Sequence, residues 1–171
     1  HPHQPVHTPD VRAIAEALGK SRRPLLLVGH GALVSRAWDQ IKRLAEKLNA
    51  PVATTLLGKG ALPESHPLSL GMLGMHGTAY ANKAVIDCDL ILSIGSRYDD
   101  RTIGQASKFC RNAVRLHIDI DVAEINKMIK VHHHCIGDAR DVLEELLPMV
   151  SRLATAEWIK TLNSYKKLFP L

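Results

Sequence analysis

"PLLLVG", residues 24–29, is an unbroken apolar run stopped by a glycine. A strand covered on both faces reads as such a run, whereas a half-exposed strand alternates. The pattern returns downstream in "PVATT" (51–55), "DLILSIG" (89–95), "AVRLHID" (113–119) and the shorter "HHCIGD" (133–138), five expected strands in all. Helical patterns separate them. "HTPDVRAIAEALGK" (7–20) predicts a helix with Thr8 as cap, Pro9 in the first turn, Gly19 at the end, and Val11, Ile14 and Leu18 on one face. Residues 35–49 place Ala37, Ile41, Leu44 and Leu48 inward; 78–88 is a further helix, 122–128 a short one, and 139–150 turns Val142, Leu143, Leu146 and Leu147 inward. A last amphipathic helix spans 155–171, with Trp158 and Leu162 on one side, either packed on the domain or leading out of it. Strands alternating with helices predict an α/β fold: a doubly wound, mostly parallel, Rossmann-like sheet with helices on both faces.

Composition narrows the function classes. Lys and Arg number 22 against 17 Asp and Glu, a mildly basic net charge of +5. No dense basic stripe with interleaved aromatics argues for nucleic acid. No apolar run approaches the ~18–20 residues of a membrane span, and "HPHQPVH" has no signal-peptide core. Cys88, Cys110 and Cys135, odd in number and without CxxC spacing, fit a reduced cytoplasmic compartment, with Cys88 and Cys110 expected to be ordinary buried thiols. With no initiator Met, the chain is expected to be a piece of something longer or a processed product. The expected division is a linker at 1–7, a nucleotide-binding domain at 8–150, and a helix or linker at 151–171.

In an open parallel sheet, ligands bind beyond the carboxyl ends of the strands. After the first expected strand come Gly29, His30 and Gly31; after the second, Thr55, Leu56 and Leu57; after the third, Gly95, Ser96, Arg97, Asp99, Asp100 and Arg101; after the fourth, Asp119 and Asp121; after the fifth, Gly137 and Asp138. Glycines admit close backbone approach, arginines neutralise phosphates, and acids accept from ribose hydroxyls. Each also has a structural reading: a tight turn at Gly29–Gly31, an ion network at 97–101, core methionines at Met72 and Met75, a loop histidine at His76. The GxGxxG fingerprint fails, because Val34 stands where its third glycine would be. "GMLGMHGTAYAN" (71–82) is too glycine-rich to start a helix and too apolar for an ordinary loop. Met72, Leu73, Met75 and His76 would line the flat face of an aromatic ligand such as a flavin, with Gly71, Gly74 and Gly77 opening backbone amides to its polar edge. "HHHC" (132–135) invites a metal, but alternation spreads its side chains and no second cluster completes a set; no metal ligand is assigned.

"PVATTLLGKGALPESHPLSLGMLGMHGTAYAN" (51–82), "DLILSIGSRYDDRTIG" (89–104), "LHIDIDVAEINK" (116–127) and "GDA" (137–139) resemble the central domain of the acetohydroxyacid synthase (acetolactate synthase) catalytic subunit, a thiamine-diphosphate enzyme family. The resemblance runs from about Arg23 to Val150, and "LFPL" (168–171) resembles the linker to the next domain. It implies a subunit of pyrimidine-binding, central and diphosphate-binding domains, in which the central one holds FAD in a structural role. The implied FAD contacts are Gly29, His30, Gly31, Thr55, Leu56, Leu57, Leu73, Met75, His76, Gly95, Arg97, Asp99, Arg101, Asp119, Ile120, Asp121, Glu124, Gly137, Asp138 and Ala139. Departures from the family pattern are His30 within a usual triple glycine, Val34 for an asparagine, Leu57 for a methionine, Tyr98 for a phenylalanine and Thr102 for a valine. The family's catalytic glutamate and its Mg²⁺- and diphosphate-holding motif lie on the other two domains, so no catalytic residue is assigned here. The resemblance further implies a cytoplasmic homo-oligomer and a possible regulatory subunit. Two alternatives stay open: a central domain of another thiamine-diphosphate carboligase or decarboxylase that binds ADP or nothing, and a purely structural module.

Overall fold

The computed structural model describes residues 5–74, 77–96, 110, 112–126 and 130–170. In chain order its elements are α1 (Thr8–Gly19), β1 (Pro24–Val28), α2 (His30–Val34), α3 (Trp38–Leu48), β2 (Val52–Thr54), β3 (Ser69–Met72), α4 (Ala79–Asp87), β4 (Leu90–Ile94), β5 (Val114–Asp119), β6 (His133–Ile136), α5 (Ala139–Leu146) and α6 (Ala156–Leu168). Single 3-10 turns occupy Leu56–Gly58, Val122–Glu124 and Leu147–Met149. The strands form one sheet in the order β3-β2-β1-β4-β5-β6, and every neighbouring pair is parallel. This is the strand order of the doubly wound dinucleotide-binding fold.

The unbroken apolar run in β1 has the cause its pattern suggests. Leu26 and Val28 pack on one face, with α1, α3 and α5; Leu25 and Leu27 pack on the other, with α4 and α6. All four are fully buried, and burying a leucine or valine stabilises by about 1.5–3 kcal/mol. The helical faces expected from spacing are buried too: Val11, Ile14 and Leu18; Ala37, Ile41, Leu44 and Leu48; Val142, Leu143, Leu146 and Leu147; Trp158 and Leu162. Helix α6 packs on the domain, and the Trp158 indole N–H donates to the Pro24 carbonyl at 2.9 Å.

Several boundaries differ from expectation. A sixth strand, β3, occupies the start of the methionine–glycine stretch. Its interior Gly71 (φ 78°) and a register shift against β2 disguise it, because glycine inside a strand marks irregularity and removes the alternation signal. The expected helix 35–49 begins at Trp38, preceded by the separate short α2. Thr8 lies inside α1 rather than capping it; His7 is the cap residue, and the Thr8 hydroxyl donates to Glu145 on α5. Of the expected helix 122–128, the described residues form a 3-10 turn at Val122–Glu124 that buries no side chain and is followed by extended Ile125; Lys127 and Met128 lie outside the described residues. Thr78 does cap α4: its hydroxyl accepts from the Ala81 amide at 3.0 Å and donates to the Leu70 carbonyl at 2.7 Å, tying α4 to β3.

Candidate functional site

The carboxyl edge of the sheet is laced laterally by backbone hydrogen bonds. Leu73 N donates to Thr54 O (2.8 Å), Thr55 N to Val28 O (3.0 Å), Gly29 N to Ile94 O (3.0 Å), Gly95 N to Ile118 O (2.9 Å) and Gly137 N to Asp119 O (2.9 Å). Leu73, Thr55, Gly29, Gly95, Asp119 and Gly137 therefore lie along one rim, in strand order. The chain reverses its direction of winding between β1 and β4, so Gly29 and Gly95 flank the switch point where such sheets open a crevice.

The turns at that point fit together because they lack side chains. A Cβ on Gly29 would sit 2.5 Å from Ser96 Cα, and one on Gly31 would sit 2.9 Å from Gly95 Cα. Gly95 has φ 60°, a left-handed conformation that favours glycine. Close packing of the chain on itself is thus sufficient reason for these glycines. His30 stands exposed on α2 between Gly29 and Gly31. Gly58 is a further close approach that spacing alone does not reveal: its Cβ would fall on the Val28 carbonyl.

The polar rim residues hold their own turns. The Thr55 hydroxyl accepts from Gly58 N at 3.2 Å, Asp121 from Ala123 N at 2.9 Å, and Asp138 from Asp141 N at 3.2 Å. Asp119 is buried; one carboxylate oxygen accepts from Asp121 N at 2.9 Å, and the other lies 3.2 Å from His117 Nε2. Glu124 is half-buried at the end of the 3-10 turn. Leu73 and Ala139 point their side chains into the two cores and bring only backbone to the rim. Met75, His76, Arg97, Asp99, Asp100 and Arg101, with Tyr98 and Thr102, lie outside the described residues.

Apolar side chains stand exposed along this edge. Leu56 (67% exposed), Leu57 (66%), Ile120 (62%) and Val122 (69%) stand in solvent on the turns after β2 and β5, with exposed Val34 on α2 between. Strands β2 and β5 are three positions apart in the sheet, about 14 Å at ~4.8 Å per strand. A compact ligand would reach one flank; only an extended one covers both. Asp121 and half-buried Glu124 lie on the same turn as Ile120 and Val122, so the β5 flank of the rim carries both apolar and acidic side chains.

Two buried residues at the edge carry no motif signal. Ser96 is 1% exposed, and His117, in the middle of β5, is fully buried. In sequence His117 is one polar position of an alternating strand, "VRLHID", and nothing in that pattern singles it out.

Elsewhere the chemistry is sparse. Burial raises Cys110 to about 12 and Cys135 to about 11, and lifts Cys88 still further with help from neighbouring Cys110; all three are free and buried. Among the described residues no group of three His, Cys, Asp or Glu side chains is placed to hold a metal ion, and no helix is long and apolar enough to cross a membrane. A cavity of about 720 Å³ opens at the opposite, amino edge, lined by Arg22, Arg23, Arg152, Thr155 and Trp158 among others.

Comparison with known proteins gives one answer. The family model described as thiamine pyrophosphate enzyme, central domain, matches residues 11–146. The acetolactate synthase large subunit of Cyanidium caldarium is 43% identical over 179 aligned residues, covering 99% of this chain and 31% of that protein. The probable acetolactate synthase large subunit of Methanocaldococcus jannaschii is 42% identical, covering 95% and 28%. The acetolactate synthase isozyme 1 large subunit of Escherichia coli K12 is 40% identical, covering 94% and 28%. The chain spans about three tenths of the length of these relatives.

Proposed function

The chain belongs to the thiamine pyrophosphate enzyme central-domain family, and from that premise we propose that it is the FAD-holding central domain of an acetolactate synthase-like transferase. The parent enzyme would decarboxylate pyruvate and join the two-carbon unit to a second 2-oxo acid, in branched-chain amino-acid synthesis. Thiamine diphosphate and Mg²⁺ would sit on the pyrimidine-binding and diphosphate-binding domains of the same cytoplasmic, oligomeric enzyme, with a regulatory subunit as a further partner. The flavin would act as a structural element, without net redox in the main reaction. This chain would therefore bind and orient, and would not turn over pyruvate alone.

The observation that carries the reading is the rim. Exposed Leu56, Leu57, Ile120 and Val122 flank the switch point at a separation that only an extended ligand bridges. Gly29, His30, Gly31, Thr55, Gly95, Asp119, Asp121, Glu124, Gly137 and Asp138 would supply the polar and backbone contacts. Leu73 and Ala139 would contribute through their backbone. Met75, His76, Arg97, Asp99 and Arg101 complete the proposed set, the arginines at the diphosphate.

The test is a titration of the chain with FAD, ADP and NAD, each followed by thermal shift, with flavin fluorescence and visible absorbance added for FAD. A saturable change with FAD, weakened by Arg97→Ala with Arg101→Ala, is expected. Saturation with ADP but not FAD would move the chain to another branch of the family. A thermal shift with none of the three would favour the structural module.

A further inference from the structure

We propose that His117 is a positioning residue: from beneath the carboxyl edge it fixes the exit of β4 and, through it, the β1 turn at the switch point. In its effect on flavin this rests on the function proposed above; in its effect on the backbone it does not.

An imidazole withdrawn from water is costly unless its nitrogens are hydrogen-bonded. His117 is fully buried between Leu116 and Ile118, which are equally buried, so packing alone would have favoured an apolar residue. Its Nε2 lies 3.0 Å from the Ser96 carbonyl and 3.2 Å from a carboxylate oxygen of Asp119. Two acceptors converge on one nitrogen, so Nε2 carries a hydrogen. The Ser93 hydroxyl, on the residue in register with His117, reaches the same Ser96 carbonyl at 3.5 Å.

The chain needs this at Ser96. After Ile94 it leaves the sheet, and Gly95 turns it through a left-handed conformation. Ser96 is then almost wholly buried, with its carbonyl beyond the strand ladder; His117 meets that carbonyl from the neighbouring strand. The second oxygen of Asp119 accepts from Asp121 N, so one imidazole links the exits of β4 and β5. The link reaches β1 by contact. Gly31 N donates to Gly95 O at 2.9 Å, and a Cβ on Gly29 would lie 2.5 Å from Ser96 Cα. Gly29 and Ser96 lie too close to admit even a methyl group between them, so a displaced Ser96 disturbs the β1 turn.

The test uses three variants of the chain: His117→Leu, His117→Gln and His117→Asn. The glutamine amide nitrogen is as many bonds from the backbone as Nε2; that of asparagine is one short. Native-state hydrogen exchange is read at the amides of Gly29, Gly31 and Gly95, with Ile91 and Leu92 as controls in the same sheet, and FAD affinity is measured in parallel. Loss of one hydrogen bond to a buried carbonyl is worth about tenfold. His117→Leu is expected to speed exchange about tenfold at the three glycines beyond any change at the controls, and to weaken FAD similarly. His117→Gln should restore both and His117→Asn neither, a split that a general loss of stability would not give. If the leucine variant does not fold, the glutamine–asparagine pair carries the test. Equal protection of the glycines in Gln and Asn variants overturns the proposal. Should the exchange pattern hold while the unsubstituted chain takes up no flavin, the positioning role stands and the cofactor assignment falls.

Discussion

The two edges of the sheet are built from the same strands and finished differently. At the amino edge, Asp89 accepts from the Ser21 hydroxyl (2.6 Å) and the Arg22 amide (2.9 Å), its own amide donates to Arg23 O and its carbonyl accepts from Val114 N (both 2.9 Å), and Trp158 closes over Pro24. Asp89, Ser21 and the Trp158 indole find protein partners there, and α6 covers the apolar surface around Trp158. At the carboxyl edge the backbone is equally well laced, yet Leu56, Leu57, Ile120 and Val122 stand in solvent. Val114, at the amino end of β5, is exposed as well, at 36%, but four such side chains flank the switch point at the carboxyl edge. The contrast is between an edge closed over by α6 and an edge open to solvent.

The largest effect should come from the finished edge. Trp158 is 3% exposed and spends its N–H on Pro24; Trp158→Ala should cost about 3–5 kcal/mol in urea unfolding. FAD affinity measured well below the melting transition should hold, since the rim is untouched. If instead affinity falls as far as stability, the two edges are not independent.

Next in size is a pH effect from the buried thiols, none of them on the rim. In the unfolded chain a thiol titrates near ~8.5; in the folded chain burial holds Cys110 to about 12 and Cys135 to about 11. The folded pKa is raised, so the stability from the neutral buried thiol is fully present below ~8.5 and is lost as pH rises toward the folded values. Each thiol adds a slope of up to about 1.4 kcal/mol per pH unit in that window. Urea midpoints between pH ~7.5 and ~10.5 should fall accordingly, and Cys135→Ala should flatten the decline.

A smaller change, at the open edge, should reverse the pattern of Trp158. Leu56→Ser combined with Ile120→Ser removes side chains that are mostly in solvent, so stability should move by no more than about 0.5 kcal/mol. Loss of their contact with a bound flavin should weaken it about tenfold, or about 1.4 kcal/mol. A double variant that binds FAD as before would leave the exposed rim without a function.

How much of this was legible in the sequence follows the same division. The sheet was, because its strands are buried on both faces: "PLLLV" and "LILSI" need no context to read as central parallel strands, and the faces of α1, α3 and α5 follow from helical spacing. Strand β3 was not, because an edge strand with a left-handed glycine has neither the continuous run nor the alternation. The rim's order along the strand ends follows from topology, so Gly29, Thr55, Gly95 and Asp119 could be placed together in advance. That Leu73 turns inward, or that Asp121 and Asp138 spend their carboxylates capping their own turns, depends on local backbone that residue types do not encode. His117 was invisible for another reason: its meaning comes from Ser96, 21 residues away in sequence and just past the end of the neighbouring strand.

The smallest effect is the sharpest test of the comparison. Arg22 and Arg152 line the amino-edge cavity, and among the described residues neither guanidinium has a partner; the Arg22 bond to Asp89 is made by its backbone. Arg22→Gln with Arg152→Gln should therefore shift stability by less than about 0.5 kcal/mol. A cationic cavity would nonetheless be the obvious home for a diphosphate if charge alone chose the site. Five-residue β1 separates the two edges by about 17 Å, roughly twice the ~8 Å screening length at physiological salt. Charges removed at one edge are thus not felt at the other. Unchanged FAD affinity in the double variant is the expected result, and a loss of more than about twofold, beyond what that screening allows, would move the ligand from the rim of glycines and leucines to the pocket of arginines.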